Sequence, residues 1–275
     1  MGNTVEHKIR ERITAQKKKA RKRLKRARAF LYKALVRLRK QNPVFIVGCG
    51  HSGTTLMLRV MAHHKDMYGV SYESNAFLRQ IPKVDEFVKW DQEVSINQLN
   101  RWVEKTPGHV RELDKIFEYF PDSRVIVLVR DGRDVALSIK NRNGTIEEAI
   151  KRWLCDNNAW LAYEDDERVK MIRLEDLSND PAQQISRVCS HLNEEFYPEL
   201  MNYHLQEFTY ENAGIEKSDG RGERHQKNRN WQVNQPIFKS TQRWEKEATD
   251  LEKRLFSQDE EFVNMLDRFG YTQTV

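Results

Sequence analysis

An α/β fold with a mainly parallel central sheet and a long basic N-terminal helix is what this 275-residue sequence predicts. Three observations predict it. Apolar runs rich in valine and isoleucine alternate with amphipathic stretches of helical period, the order that builds a parallel sheet covered by helices. One run, Val125-Ile126-Val127-Leu128-Val129, is continuously apolar and suits a strand buried on both faces. Residues 8–40 hold neither proline nor glycine and are rich in Lys, Arg, Ala and Leu, all good helix formers.

That first helix is a cationic cylinder. Residues 1–40 carry 16 Lys or Arg against Glu6 and Glu11, a net of +14, while the whole chain is +6; the remainder is therefore acidic, at −8. Ala20, Leu24, Ala27, Leu31, Leu35 and Leu38 recur at steps of three and four, drawing a narrow apolar stripe along it. Such a helix can lie on an anionic membrane surface or self-associate through its stripe. Non-specific nucleic-acid binding is the less favoured use of the charge. The plainest alternative is an arm that packs Leu31, Leu35 and Leu38 on its own domain. Asn42-Pro43 ends the helix, since proline cannot continue it, dividing the chain into an arm, 1–42, and a domain, 43–275. No apolar run reaches the roughly 18–20 residues of a membrane span, and no secretory core opens the chain. Cys49, Cys155 and Cys189 lack metal-ligand rhythm and read as reduced thiols. The expected location is cytoplasmic, peripheral at the membrane if the arm seats there.

In order, Val44–Gly48 is a strand that breaks into glycines at 48, 50 and 53 and restarts as a helix with Leu56, Val60 and Met61. A strand turning through glycines into a helix N-terminus aims unpaired N–H groups and a helix dipole at one point, which suits phosphate. A nucleoside-triphosphatase loop has Lys after its last glycine; here Thr54 stands there, and His51 is the titratable residue in the loop. Met67–Tyr72 is a second strand with Glu73 just beyond it. Val103-Glu104-Lys105-Thr106-Pro107 is a third strand end. Arg124–Val129 runs into Arg130-Asp131-Gly132-Arg133-Asp134 and a helix bearing Ser138. Val169–Leu174 is a further strand, Asp180-Pro181 opens a helix over 181–192, and Gln242–Gly270 closes the chain with two amphipathic helices. Residues 209–235 are polar, with Gly214, Gly220, Gly222 and basic Arg221, Arg224, Lys227 and Arg229, and read as a long mobile loop.

Ligands of open α/β sheets gather at the carboxyl ends of strands. His51 with its loop, Lys105, and Arg130 with Ser138 therefore face one crevice, and Glu73 is the acid placed among them, suited to a general base. Two cationic patches suit a ligand with phosphate at both ends. Each residue has a duller use: Glu73 as a cap or a partner of Arg79, Lys105 in a surface ion pair, Arg130 paired with Asp134, His51 as a turn residue.

In these motifs the chain resembles sulfotransferases that use 3′-phosphoadenosine 5′-phosphosulfate (PAPS), nearest the bacterial, carbohydrate and tyrosylprotein branch. Phe45–Leu58 resembles the 5′-phosphosulfate loop and Val125–Ile139 the 3′-phosphate motif. Glu104-Lys105-Thr106-Pro107, Leu174-Glu175-Asp176-Leu177 and Arg243-Trp244 through Phe269-Gly270-Tyr271 resemble further elements, together spanning residues 44–275. The resemblance implies a P-loop-type three-layer fold and PAPS as co-substrate, with no metal. It implies that Gly50, His51, Ser52, Gly53, Thr54 and Thr55 hold the 5′-phosphosulfate and that Arg130 and Ser138, joined by Arg243, hold the 3′-phosphate. Glu73 would take the proton of an acceptor hydroxyl on a glycan, lipid or protein. Lys105 and His51 would meet the charge of the sulfuryl group and departing phosphate. Carbohydrate or lipid-linked acceptors are favoured. Two departures stand out. His51 replaces a Lys or Arg, predicting activity that falls as pH rises through its titration. Leu174 replaces a tyrosine that lies against adenine, leaving Trp153 or Trp160 as stacking candidates against their commoner use in cores. The rival functions are a P-loop nucleotide kinase or NTPase, and a non-enzymatic membrane or nucleic-acid binding module built on the arm.

Overall fold

The computed structural model describes residues 2–142, 144–218, 224–239 and 242–271. Among these residues five strands form one sheet: β1 (Val44–Gly48), β2 (Met67–Gly69), β3 (Arg101–Lys105), β4 (Arg124–Val129) and β5 (Val169–Arg173). Their order is β2-β3-β1-β4-β5, and every pairing is parallel, with Phe45 opposite Val125 and Val127 opposite Met171. Each lies where the sequence places a strand, with β2 ending at Gly69 short of the expected Tyr72; the apolar runs of β1 and β4 suit parallel strands buried on both faces, whereas buried β3 carries Arg101, Glu104 and Lys105.

Among the described residues twelve α-helices surround the sheet: α1 (Gly2–Arg39), α2 (Thr54–Met61), α3 (Val84–Ile96), α4 (Leu113–Tyr119), α5 (Gly132–Lys140), α6 (Ile146–Leu161), α7 (Leu174–Asn179), α8 (Pro181–Leu192), α9 (Arg224–Val233), α10 (Trp244–Glu247), α11 (Asp250–Gln258) and α12 (Glu260–Arg268). Successive strand residues point to opposite faces, so the core has two halves. Phe45, Val47, Val125 and Val127 meet Phe77, Phe87, Trp90, Trp102 and Phe120 on one side. Val44, Ile46, Ile126 and Leu128 meet Met57, Leu58, Val60, Met61 and Ile185 on the other. Trp153 and Trp160 belong to the first half, Trp153 edge-on to Phe262 and Trp160 stacked on Phe269. They are core residues, not adenine platforms.

One alternative and one expectation are corrected. Helix α1 docks through Ala29, Tyr32 and Val36, whereas Leu31, Leu35 and Leu38 stay exposed. Tyr32 wins this face because its ring meets Phe87 and Phe120 while its hydroxyl donates to Asp91 at 2.8 Å. The 209–235 segment is not one loop, since α9 occupies 224–233; Gly220, Arg221 and Gly222 fall outside the described residues. Buried Asn230 stands in for backbone here, accepting from Tyr210 N at 3.0 Å and donating to the Ala213 carbonyl at 2.7 Å. Asn234 does the same with Phe208, at 2.9 and 2.7 Å. A segment folded by side-chain amides leaves no apolar period to read.

Candidate active site

From β1 the chain steps to β3 and β2 on one side and to β4 and β5 on the other. A crevice therefore opens beyond the carboxyl end of β1, and a cleft of about 590 Å³ lies there. Its walls include Gly50, His51, Gly53, Thr54, Thr55, Glu73, Lys105, Arg130, Ser138 and Arg243, nearly the whole set expected from the sequence. Ser52 is the exception. It is fully buried behind the loop, its N–H turned to the Cys49 carbonyl at 3.3 Å and its hydroxyl without a partner among the described residues.

The loop's shape explains its glycines. Gly48 has φ +137°, and a Cβ there would sit 2.3 Å from the Leu128 carbonyl oxygen on the neighbouring strand. Gly53 has φ +88° and a side chain would meet Leu174 at 2.7 Å. No side chain caps α2, so the N–H groups of its first turn remain open toward the cleft. His51 adopts φ +73°, unusual outside glycine.

Glu73 and Lys105 meet across the floor, Lys105 Nζ donating to Glu73 Oε1 at 2.7 Å. Neither has the duller use considered above. Lys105 is fully buried, its ammonium 4.3 Å over the Tyr210 ring, and Glu73 engages Lys105 and Arg229 rather than Arg79. Burial pulls the Lys105 pKa down, and Glu73 opposes that pull. Behind them Glu104 is a buried hub, accepting from Ser74 at 2.8 Å and from Thr106 at 2.5 Å and lying 3.0 Å from His109. Burial alone would raise its pKa, but these partners, His109 foremost, hold it below the ordinary carboxylate value. The Glu-Lys-Thr-Pro run thus supplies one structural acid and one cleft cation.

Arg130, at the end of β4, donates to Asp134 at 3.1 Å and to the His51 carbonyl at 3.2 Å, tying the two anion-facing turns together. Asp131 caps α5 by accepting from Arg133 N at 2.9 Å. Ser138 returns its hydroxyl to the Asp134 carbonyl at 2.9 Å. Glu175 links this turn to the chain's end, accepting from Asp131 N at 3.2 Å and from the Tyr271 hydroxyl at 2.6 Å. Burial raises the Glu175 pKa. Arg243 faces the cleft while paired with Glu247 at 2.7 Å.

Further residues line the cleft that motif reading did not single out: the cations Arg111, Arg142 and Arg152, and His225. Arg111 and Arg152 share Asp156, at 2.5 and 3.6 Å. Among the described residues Arg142 has no carboxylate within 4 Å, and Arg229 has only Glu73, at 3.8 Å. Arg142 lies four residues after Ser138, one turn along a predicted helix, and that spacing was the available signal. The crowding shows in titration. Burial, then Arg142 and Arg152, drive His51 down to about 2, and burial with Arg142 and Arg229 drives His225 down to about 3. Burial and neighbouring Arg229 bring Arg142 down to about 10. The expected titration of His51 near neutral pH is therefore corrected: without an anion in the cleft it stays uncharged there. Surplus positive charge at a strand-end crevice is an electrostatic demand for a polyanion. The group His64, Asp66 and Glu194 could approach a metal among the described residues, but it lies outside the cleft walls, with Glu194 paired to Arg101 at 2.9 Å.

The sulfotransferase family model matches residues 85–199, taking in Lys105, Arg130 and Ser138. Three solved structures share the fold. The sulfotransferase domain of the Synechococcus PCC 7002 olefin synthase aligns with TM-score 0.59 and 17% identity over 85% of this chain and 97% of that one. A sulfotransferase domain from the curacin biosynthetic pathway gives 0.53 and 18%, over 84% and 98%. Mouse sulfotransferase SULT7A1 complexed with PAP gives 0.52 and 14%, over 84% and 89%. A search of curated proteins finds no match.

Proposed function

We propose that the chain is a PAPS-dependent sulfotransferase, a reading supported by the family match over residues 85–199 and by the shared fold, and that it transfers a sulfuryl group from PAPS to an acceptor hydroxyl with Glu73 as general base. The observation that carries the reading is the Glu73–Lys105 pair at 2.7 Å on the floor of a cleft otherwise lined by cations. Donor binding offers Lys105 a second anion, the oxygen joining sulfur to the 5′-phosphate. As Lys105 turns to it, a lone pair of Glu73 is released to the acceptor hydroxyl. The acceptor oxygen attacks sulfur in line, its proton passes to Glu73, and the sulfur–oxygen bond to phosphate breaks. Charge growing on the leaving phosphate is met by Lys105 and by the N–H groups of Gly53, Thr54 and Thr55, with His51 as a hydrogen-bond donor. Arg130, Ser138 and Arg243 hold the 3′-phosphate, leaving 3′,5′-diphosphoadenosine (PAP) as product.

The acceptor we favour is carbohydrate or lipid-linked. The cleft joins its cationic floor to apolar Leu56, Leu78, Ile237 and Phe238, with Leu78 and Phe238 exposed, a surface that suits a molecule with polar and apolar parts. Incubation with radiolabelled PAPS and separate lipid, polysaccharide and protein extracts tests both levels. Label in lipid or polysaccharide is expected. Label confined to protein overturns the acceptor assignment, and phosphate transfer from ATP that EDTA abolishes overturns the reaction in favour of a kinase.

A further inference from the structure

Helix α1 is amphipathic twice over. One face, Ala29, Tyr32 and Val36, is buried against the domain. At 100° per residue, a second apolar face lies roughly 150° around the cylinder. It consists of Leu24, Ala27, Phe30, Leu31, Ala34, Leu35 and Leu38, and no charged residue interrupts it between 24 and 38. Its large side chains are bare: Leu24 is 62% exposed, Phe30 74%, Leu31 66% and Leu38 83%. Anchorage by the first face fixes the second one outward.

Charge decides among occupants. Nine Lys or Arg crowd residues 17–28, and among the described residues only Arg28 of these has an ion-pair partner, Asp85 at 2.6 Å. A second copy would bring like charges together. With Leu24, Leu31 and Leu38 as one seam and Ala27 and Ala34 as the other, four of the six flanking positions are Arg (21 and 28 on one edge, 23 and 37 on the other), with Leu35 and Phe30 the exceptions, and two such helices bring like charges together along both edges. A nucleic acid would satisfy the cations and leave the uncharged face in water. A bilayer with anionic headgroups answers both demands, taking the apolar face below the headgroups and the flanking cations at their level. We propose that α1 lies in the plane of an anionic membrane surface, with Leu24, Phe30, Leu31, Leu35 and Leu38 inserted, and holds the sulfotransferase domain there. This goes beyond the reaction assigned above and stands whether or not that assignment does.

The test is flotation of the full chain with vesicles of phosphatidylcholine alone and of phosphatidylcholine with 30% phosphatidylglycerol. The variant is L24Q/L31Q/L38Q, at exposed positions outside the domain core, and the full chain is also run by light scattering and against a single-stranded RNA. Expected are binding to the anionic vesicles only, weakening as salt rises, at least a tenfold loss of partitioning in the triple variant with unchanged circular dichroism, and a monomer in solution. Equal binding by the triple variant overturns the proposal, since charge alone would then explain it. A dimer that the triple variant dissolves, or RNA binding tighter than vesicle binding, overturns it in favour of the other occupants.

Discussion

Replacing Glu73 by glutamine separates the charge of this residue from its shape. The amide oxygen can still accept the 2.7 Å hydrogen bond from Lys105, so the buried lysine keeps its position over Tyr210. What disappears is the negative charge that opposes the effect of burial on Lys105 and the lone pair that takes the acceptor proton. Removing one partner of a fully buried ion pair costs about 3–5 kcal/mol. Glu73 keeps 28% of its side chain exposed and the amide preserves the contact, so the stability loss should be about 1–2 kcal/mol. Loss of a general base lowers turnover roughly 10²- to 10⁴-fold, about 3–5 kcal/mol of barrier at 1.36 kcal/mol per decade. PAP affinity should stay within about threefold, because the groups assigned to the phosphates at Gly53, Thr54, Thr55, Arg130 and Ser138 are untouched; binding shifts smaller than this lie within the context scatter of a single hydrogen bond. The assay is transfer of labelled sulfate beside PAP calorimetry. Turnover within tenfold of the parent, with PAP binding intact, would refute the base assignment. Should Glu73→Gln fold poorly, Glu73→Asp keeps the charge and withdraws it from reach, and should lose turnover while keeping stability.

Arg130→Ala removes the guanidinium that joins Asp134 to the His51 carbonyl. At about 1.5–3 kcal/mol for a charge-assisted contact, PAP should bind roughly 10- to 100-fold more weakly by calorimetry, and unchanged affinity would disprove its phosphate role. Gly48→Ala drives a methyl group to 2.3 Å from a backbone oxygen in the middle of the sheet. It should cost about 3 kcal/mol and lower Tm by about 6–12 °C; a silent substitution would show that the loop is not held as described. His51, with a folded pKa of about 2 against the ordinary 6.5, binds a proton in the unfolded chain and not in the folded one between those values. Stability contributed by its neutral form is therefore complete above pH 6.5 and is lost as pH falls. At pH 5 the loss reaches at most about 2 kcal/mol, less with solvent screening. Urea midpoints at pH 7 and pH 5 should differ by this amount in the parent and by less in His51→Asn, a residue that tolerates positive φ.

The central strands β1 and β4 were legible because they have no choice of composition. Buried on both faces, Val44–Val47 and Val125–Val129 must be apolar throughout, and glycine is required at 48 and 53 because a side chain would meet Leu128 at the first and Leu174 at the second. Helix α1 was legible in extent but not in facing. Its stripe of leucines has the stronger period, yet the domain took the face with Tyr32, whose hydroxyl finds Asp91 59 residues away. Periodicity reports that a helix has an apolar face and is silent on which face a given wall will accept. The 224–233 helix was hidden for a different reason, since Asn230 and Asn234 hold it by side-chain amides.

The site divides along the same line. Glu73, Lys105 and Arg130 are each fixed by a strand end or the turn after it, and Ser138 by the helix that the Arg130 turn opens, so local pattern suffices to bring them together. The surrounding arginines come from α4's approach, the end of α5 and the first half of α6, and a second histidine comes from α9; no local pattern links 111, 142, 152 and 225. Their joint effect is also what overturned the reading of His51. Taken alone, a histidine in a phosphate loop suggests a charge that titrates near neutrality. Placed beside Arg142, Arg152 and Arg229 and withdrawn from water, it is the group that gives way, because a histidine sheds its proton far more readily than a guanidinium does. The loop therefore meets its ligand with backbone N–H groups and a neutral ring, while permanent charge is supplied from the helices around it. On that division of labour, raising the His51 pKa is something only a bound polyanion accomplishes. An NMR titration of His51 should show it uncharged at pH 6 in the free protein and shifted toward its protonated form with saturating PAP. No shift would mean that the diphosphonucleotide does not reach the loop.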